Sequence, residues 1–149
     1  SDALSDPIAE GDRAWVATRG GALICVDLAG RSKVWSAEAV GGVSGAPLLA
    51  GDAVVVGTGN GQVLAFSRAA GAPLWGFPCE GPILGGLAQA GGRIYFGSKD
   101  GCIYALDAAT GALSWKLKTR AAVNGTPIVQ EGMLLVGADD GQVYAIEVK

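Results

Sequence analysis

Asp139 and Asp140 are the one pair of adjacent carboxylates in this chain. Two neighbouring carboxylates can share a proton or hold calcium. Forty residues earlier, however, stands Lys99-Asp100, then Gly59-Asn60, then Arg19-Gly20, so the pair reads as a solvated hairpin tip. Gly57-Thr58-Gly59-Asn60-Gly61 has the glycine density of a phosphate loop, but it runs into a strand and lacks the closing Lys-Ser/Thr. Lys116, Lys118 and Arg120 alternate onto one face of an outer strand. Such a row usually keeps a sheet edge from aggregating; docking an acidic partner is the alternative. Asn124-Gly125-Thr126 is a glycosylation sequon, relevant in a secreted eukaryotic setting.

The remaining reactive types are few. Histidine is absent, which removes the usual general base, proton switch and metal ligand. Cys25, Cys79 and Cys102 form no Cys-x-x-Cys, and three thiols cannot all pair within one chain. They read as small apolar residues and tilt toward a reducing compartment. Ser1-Asp2-Ala3-Leu4 is no signal peptide, although a removed leader would allow a periplasmic location. No catalytic constellation, metal set or cofactor site emerges.

The chain of 149 residues has room for one domain, residues 1–149. At 50% hydrophobic and 17% charged residues it is not a disordered chain. No apolar run reaches the length of a membrane span. A net charge of −3 disfavours nucleic acid as the partner.

What positions the polar residues is a repeat. Trp35, Trp75 and Trp115 are 40 apart, as are Gly21, Gly61, Gly101 and Gly141. Pro7, Pro47 and Pro127 share a column with Leu87, and Gly57, Gly97 and Gly137 share one with Ala17. Residues 41–80 and 81–120 align without a gap at 11 identities in 40. A period near 40 means repeat architecture. The units run 1–40, 41–80, 81–120 and 121–149, the last incomplete.

Each unit is punctuated as a four-stranded meander. In the third, Leu84–Gln89 reads as a short first strand and Arg93–Ser98 as a second, rich in β-branched and aromatic residues. Asp100-Gly101 signals a hairpin, because both residues tolerate positive φ. Cys102–Asp107 and Ala112–Lys118 complete the unit. No segment keeps a helical apolar period. The expected fold is all-β: a propeller of four-stranded antiparallel blades, with about 15 strands in four blades. The tryptophans should fill the wedges between blades, and Gly97 and Gly137 should admit a neighbouring blade.

Ala105-x-Asp107-x-x-Thr110-Gly111-x-x-x-Trp115 resembles the tryptophan-docking repeat of quinoprotein-type (PQQ-like) β-propellers. In the second unit Ala65, Gly71 and Trp75 match, with Ser67 and Ala70 at the Asp and Thr positions. The first keeps Asp27 and Trp35 but departs at Cys25 and Arg31; the fourth keeps Ala145 and has Glu147 for the Asp. The Gly-His and Trp-Asp signatures of the Trp-Asp repeat propellers are missing. The resemblance implies a bacterial family that includes quinone-dependent dehydrogenases, a barrel-assembly lipoprotein of the outer membrane and propellers fused to enzymes. Family dehydrogenases place the quinone near adjacent cysteines and hold calcium with acidic and amide side chains; neither set is present. The expected function is a non-catalytic binding or scaffolding module with a protein or peptide partner, a sensor or regulatory part of a larger assembly. A fragment of a quinone-dependent dehydrogenase is the alternative.

The expected partner face joins the loops between units, Val40–Val43, Glu80–Ile83 and Arg120–Asn124, to the hairpin tips Arg19, Asn60, Lys99, Asp100, Asp139 and Asp140. Four blades make half of an eight-bladed ring. Either a homodimer completes it head to tail, or a longer parent chain supplies the other blades; a closed four-bladed ring is the third alternative, disfavoured because one seam would lack its tryptophan wedge.

Overall fold

The computed structural model describes residues 4–148. Within them lie 15 strands in four antiparallel sheets, each a meander in sequence order. Blade 1 holds β1 (Ile8–Glu10), β2 (Arg13–Ala17), β3 (Ala22–Asp27) and β4 (Ser32–Glu38). Blade 2 holds β5 (Leu48–Ala50), β6 (Ala53–Gly57), β7 (Gln62–Ser67) and β8 (Pro73–Pro78). Blade 3 holds β9 (Ala88–Ala90), β10 (Arg93–Gly97), β11 (Cys102–Asp107) and β12 (Leu113–Lys118). Blade 4 holds β13 (Ile128–Gln130), β14 (Met133–Gly137) and β15 (Val143–Glu147).

The strand period of two distributes side chains onto opposite faces of each blade. In β6, Val54 and Val56 join the core shared with blade 1, while Ala53 and Val55 join the core shared with blade 3. In β10, Ile94 and Phe96 face blade 2, and Tyr95 faces blade 4. Every residue of β6 is therefore buried. The terminal blades differ. Along β15 exposed residues alternate with half-buried ones, and β14 shows Leu135 while hiding Leu134 and Val136. Three cores thus sit between four blades, and one face of blade 4 lacks the cover that the inner blades have.

The repeat motif has a direct mechanical explanation. Asp107 Oδ1 accepts hydrogen bonds from the N–H groups of Ala109 (2.8 Å) and Thr110 (3.1 Å), fixing the turn into β12. Gly111 follows at φ +76°, and a Cβ there would lie 2.4 Å from the Trp75 ring. The Trp75 Nε1–H donates to the Ala108 carbonyl at 3.1 Å. Forty residues earlier Trp35 packs on Gly71 and donates to the Arg68 carbonyl at 2.9 Å. Each ring is clamped onto the next blade's turn.

Three expectations change. The first strand of blade 3 is Ala88–Ala90 rather than Leu84–Gln89. The preceding residues serve blade-to-blade contact instead of a ladder: a Cβ on Gly85 would meet the Asn124 and Gly125 carbonyl oxygens at 2.6 and 2.7 Å. Gly57 and Gly97 admit Ile83 and Val123 of the next blade, as their column requires, but nothing lies within 4 Å of a Cβ on Gly137. No later blade stands against it among the described residues. The hairpins also use their residues differently from expectation. Gly101 alone takes positive φ, while Asp100 Oδ1 accepts from the Cys102 N–H at 2.8 Å.

Candidate functional site

The chain paths put every loop between blades at the same end of the sheets as the β2–β3-type hairpins. Backbone hydrogen bonds then lock them together. Gly59 N–H donates to Gly42, Lys99 N–H to Pro82 and Asp139 N–H to Ala122, at 3.0, 2.9 and 2.9 Å. The loops are wedged against the tips with no space for a side chain at Gly42 or Gly81. A Cβ on Gly42 would sit 2.2 Å from the Arg19 carbonyl, and one on Gly81 would sit 2.5 Å from the Asp100 nitrogen. The structure therefore brings Arg19, Asn60, Lys99, Asp100, Asn124, Asp139 and Asp140 to one face. Arg120 stands in the loop after β12 and is exposed.

Individual roles differ within that face. Asn60 Oδ1 accepts from the Thr58 hydroxyl at 2.6 Å. Asn124 donates to Asp139 Oδ2 at 2.8 Å, and its own Oδ1 is buried with no donor among the described residues. Asp139 and Asp140 are exposed, and Asp140 Oδ1 accepts from the Gln142 N–H at 2.9 Å. Arg19 and Lys99 are exposed cations.

Asp100 is the most connected residue there. Its Oδ2 accepts from the Tyr104 hydroxyl and, at 3.3 Å, from the Glu80 N–H. Lys118 Nζ donates to the Asp100 carbonyl at 2.9 Å, so the charged outer strand reaches the face. Burial alone would raise the Asp100 carboxyl, but the hydrogen bonds from Tyr104, Cys102, Glu80 and Ser98 outweigh it and lower its pKa. Burial, then the hydrogen bond to that carboxylate, pushes the Tyr104 phenol far up.

The cysteines have local roles. Cys79 Sγ donates to the Gly61 and Gly81 carbonyls, both at 3.3 Å. Forty residues on, the Thr119 hydroxyl donates to the Gly101 and Ala121 carbonyls at 2.8 and 2.7 Å. The thiol thus does a hydroxyl's task, and burial raises its pKa along with those of Cys25 and Cys102. The Gly71 turn lies against the Trp35 ring and the Gly111 turn against the Trp75 ring. Among the described residues no group of three His, Cys, Asp or Glu side chains is placed to hold a metal ion.

Sequence reasoning missed Tyr104 and Arg68. Arg68 was legible as the one charged residue in a column otherwise Leu28, Ala108 and Val148. At the end of the blades opposite the hairpin tips, its Nη1 donates to the Gly51 carbonyl at 2.9 Å. Its Nη2 pairs with Glu10 at 2.6 Å, and its guanidinium lies 5.2 Å from the Trp15 ring centroid.

Side-by-side meanders, with Trp35 and Trp75 each docked on the next unit's turn, define a β-propeller built of PQQ-like repeats. The chain belongs to the family described as outer membrane protein assembly factor BamB, whose model matches residues 2–82 and again 59–149. BamB from Moraxella catarrhalis is similar, at 27% identity and a TM-score of 0.82, over 92% of this chain and 43% of that one. The computationally designed protein Ika4 superposes with a TM-score of 0.88 at 19% identity, over 99% of this chain and 92% of its own. The designed protein Ika8 gives 0.86 at 19%, over 98% and 46%. Both designed proteins support the fold alone. This chain therefore spans less than half of the BamB and Ika8 chains and nearly all of Ika4. No curated protein matches the chain.

Proposed function

We propose that the chain is a protein-interaction module without a catalytic role, and that it acts as half of a propeller ring in the assembly of other proteins. The observation that carries the reading is the interlocked loop face. Its backbone is pinned blade to blade by hydrogen bonds, and it displays exposed side chains of both signs on that rigid base. Rigid scaffolds with side chains on loops recognise partners at low entropic cost. The similarity to BamB, an assembly factor by name, supports the same role here. In this reading a protein partner lies across Arg19, Asn60, Lys99, Asp100, Arg120, Asn124, Asp139 and Asp140. The open blade faces meet those of a second copy, head to tail with two-fold symmetry, to give eight blades.

Site-specific photo-crosslinking tests the face. A photoreactive side chain at Asn60 or Asp139, incubated with a solubilised bacterial outer-membrane fraction, is expected to yield discrete protein adducts. The same group at Lys116, on the outer strand, is expected to yield none. Adducts from Lys116 and none from the face would place the interaction on the charged edge and overturn the assignment.

A further inference from the structure

The repeat allows one seam to be compared with the next. Between blades 1 and 2, Arg68 closes the seam at the end opposite the hairpin tips. It does so through the Gly51 carbonyl, the Glu10 carboxylate and the Trp15 ring. Between blades 2 and 3 the counterparts of Arg68, Glu10 and Trp15 are Ala108, Ala50 and Val55. The backbone framework is kept, because Trp75 donates to the Ala108 carbonyl as Trp35 does to that of Arg68. What is lost is the plug. A groove of about 590 Å³ remains, with Asp52, Asp107, Leu74, Trp75 and Gln89 on its walls and Gly91 at the position of Gly51.

The lining selects a ligand. Asp52 and Asp107 are exposed carboxylates, and no basic side chain lines the groove. Asp107 spends Oδ1 on its own turn, through Ala109 and Thr110. Leu74, 52% exposed, and the half-buried Trp75 offer an apolar wall. A cationic head on a long apolar stem matches both features. A planar guanidinium suits the site better than an ammonium, because it can bridge a backbone carbonyl and a carboxylate at once, as Arg68 does one seam earlier.

We propose that the groove between blades 2 and 3 binds an arginine side chain presented by an extended basic segment of a partner protein, seated as Arg68 is seated between blades 1 and 2. This site lies on the face opposite the loop face and stands independently of it. The chain's net charge of −3 favours the encounter.

The test is an NMR titration of the ¹⁵N-labelled chain with three blocked tripeptides: Ala-Arg-Ala, Ala-Lys-Ala and Ala-citrulline-Ala. The arginine peptide is expected to shift the Gly91, Gly92 and Ala108 amides and the Trp75 indole N–H, saturably. The citrulline peptide, neutral and nearly isosteric, should bind at least about tenfold more weakly, and the lysine peptide should fall between them. Ala108→Arg should fill the groove from within and abolish the shifts. Asp52→Asn, an exposed change, should weaken binding while leaving the spectrum otherwise intact. Equal binding of the arginine and citrulline peptides would show an apolar slot and overturn the proposal. So would an absence of shifts at these four positions, or full binding by both variants.

Discussion

At the scale of single residues, the repeat is explained by what each position must touch. Gly71 is the clearest case. It needs positive φ, and it also needs no Cβ, because the Trp35 ring lies 2.5 Å from where one would be. Gly11 shares the positive φ, at +61°, with nothing nearby. Gly71→Ala should therefore cost about 3 kcal/mol or more, strain plus a broken dock, and Gly11→Ala about 1 kcal/mol. Urea unfolding of both variants separates the two contributions. Arg31, in the same column, is held at φ +53° without a glycine. Arg31→Gly should raise stability by about 0.5–1 kcal/mol in the same assay. Asp100 and Tyr104 make a prediction in pH. The Asp100 carboxyl is depressed, so its stabilising share is complete above the ordinary carboxylate pKa near 4 and is lost as pH falls through the lower folded value. The raised Tyr104 phenol acts in the opposite sense: its share is complete below about pH 10 and is lost as pH rises above that. The Tm gap between wild type and Asp100→Asn should be flat from about pH 5 to pH 9 and should shrink below about pH 4. A gap that persists unchanged at pH 2 would refute the carboxylate's role.

At the scale of strands and turns, burial sets the order of local stability. β6 and β10 are covered on both faces, whereas β14 and β15 are covered on one. Hydrogen exchange of the dilute chain should find the slowest amides in β6 and β10 and the fastest strand amides in β15. Uniform protection across all four blades would contradict the open end. Most of this architecture could be read in advance, because a 40-residue period carries the same turn chemistry to every blade. Asp-Gly, Asn-Gly and the Asp-x-x-Thr-Gly turn are local signals, and they placed β10, β11 and β12 within a residue. β9 was misplaced because Leu84–Leu87 is apolar for another reason: this stretch packs between blades, and no local pattern distinguishes that from a ladder. The loop face was legible for the same reason as the blades, since strand order alone brings loops and tips to one end. Tyr104 and the Arg68 plug were not, because Tyr104 acts only by reaching back to Asp100 at the tip of its own hairpin and Arg68 only by meeting side chains of the preceding blade. The plug's sequence trace is a departure from the repeat, a charge in a column that otherwise holds Leu28, Ala108 and Val148.

At the scale of the molecule, the open faces decide the account. Blade 4 shows Val143 at 72% and Ile128 at 58% exposure, and blade 1 shows Leu28, in the turn after β3, at 50%. A continuous apolar sheet face is rare on a lone chain in water and marks an interface. The two faces are the ends of one arc, so a second copy can cover both at once, blade 4 on blade 1 in each direction. That closing seam cannot use the tryptophan dock, since Arg31 carries a Cβ where Gly71 and Gly111 leave room for a ring. In the proposed ring that seam would rest instead on the apolar faces, and its strength should grow with salt that favours burial. Light scattering coupled to size exclusion tests the half-ring most directly. The account predicts a species of twice 14.9 kDa that persists on dilution to the micromolar range, with β15 amides protected in it. A homogeneous 14.9 kDa species that melts cooperatively, with β15 protected at every concentration, would contradict it and indicate that four blades close on themselves.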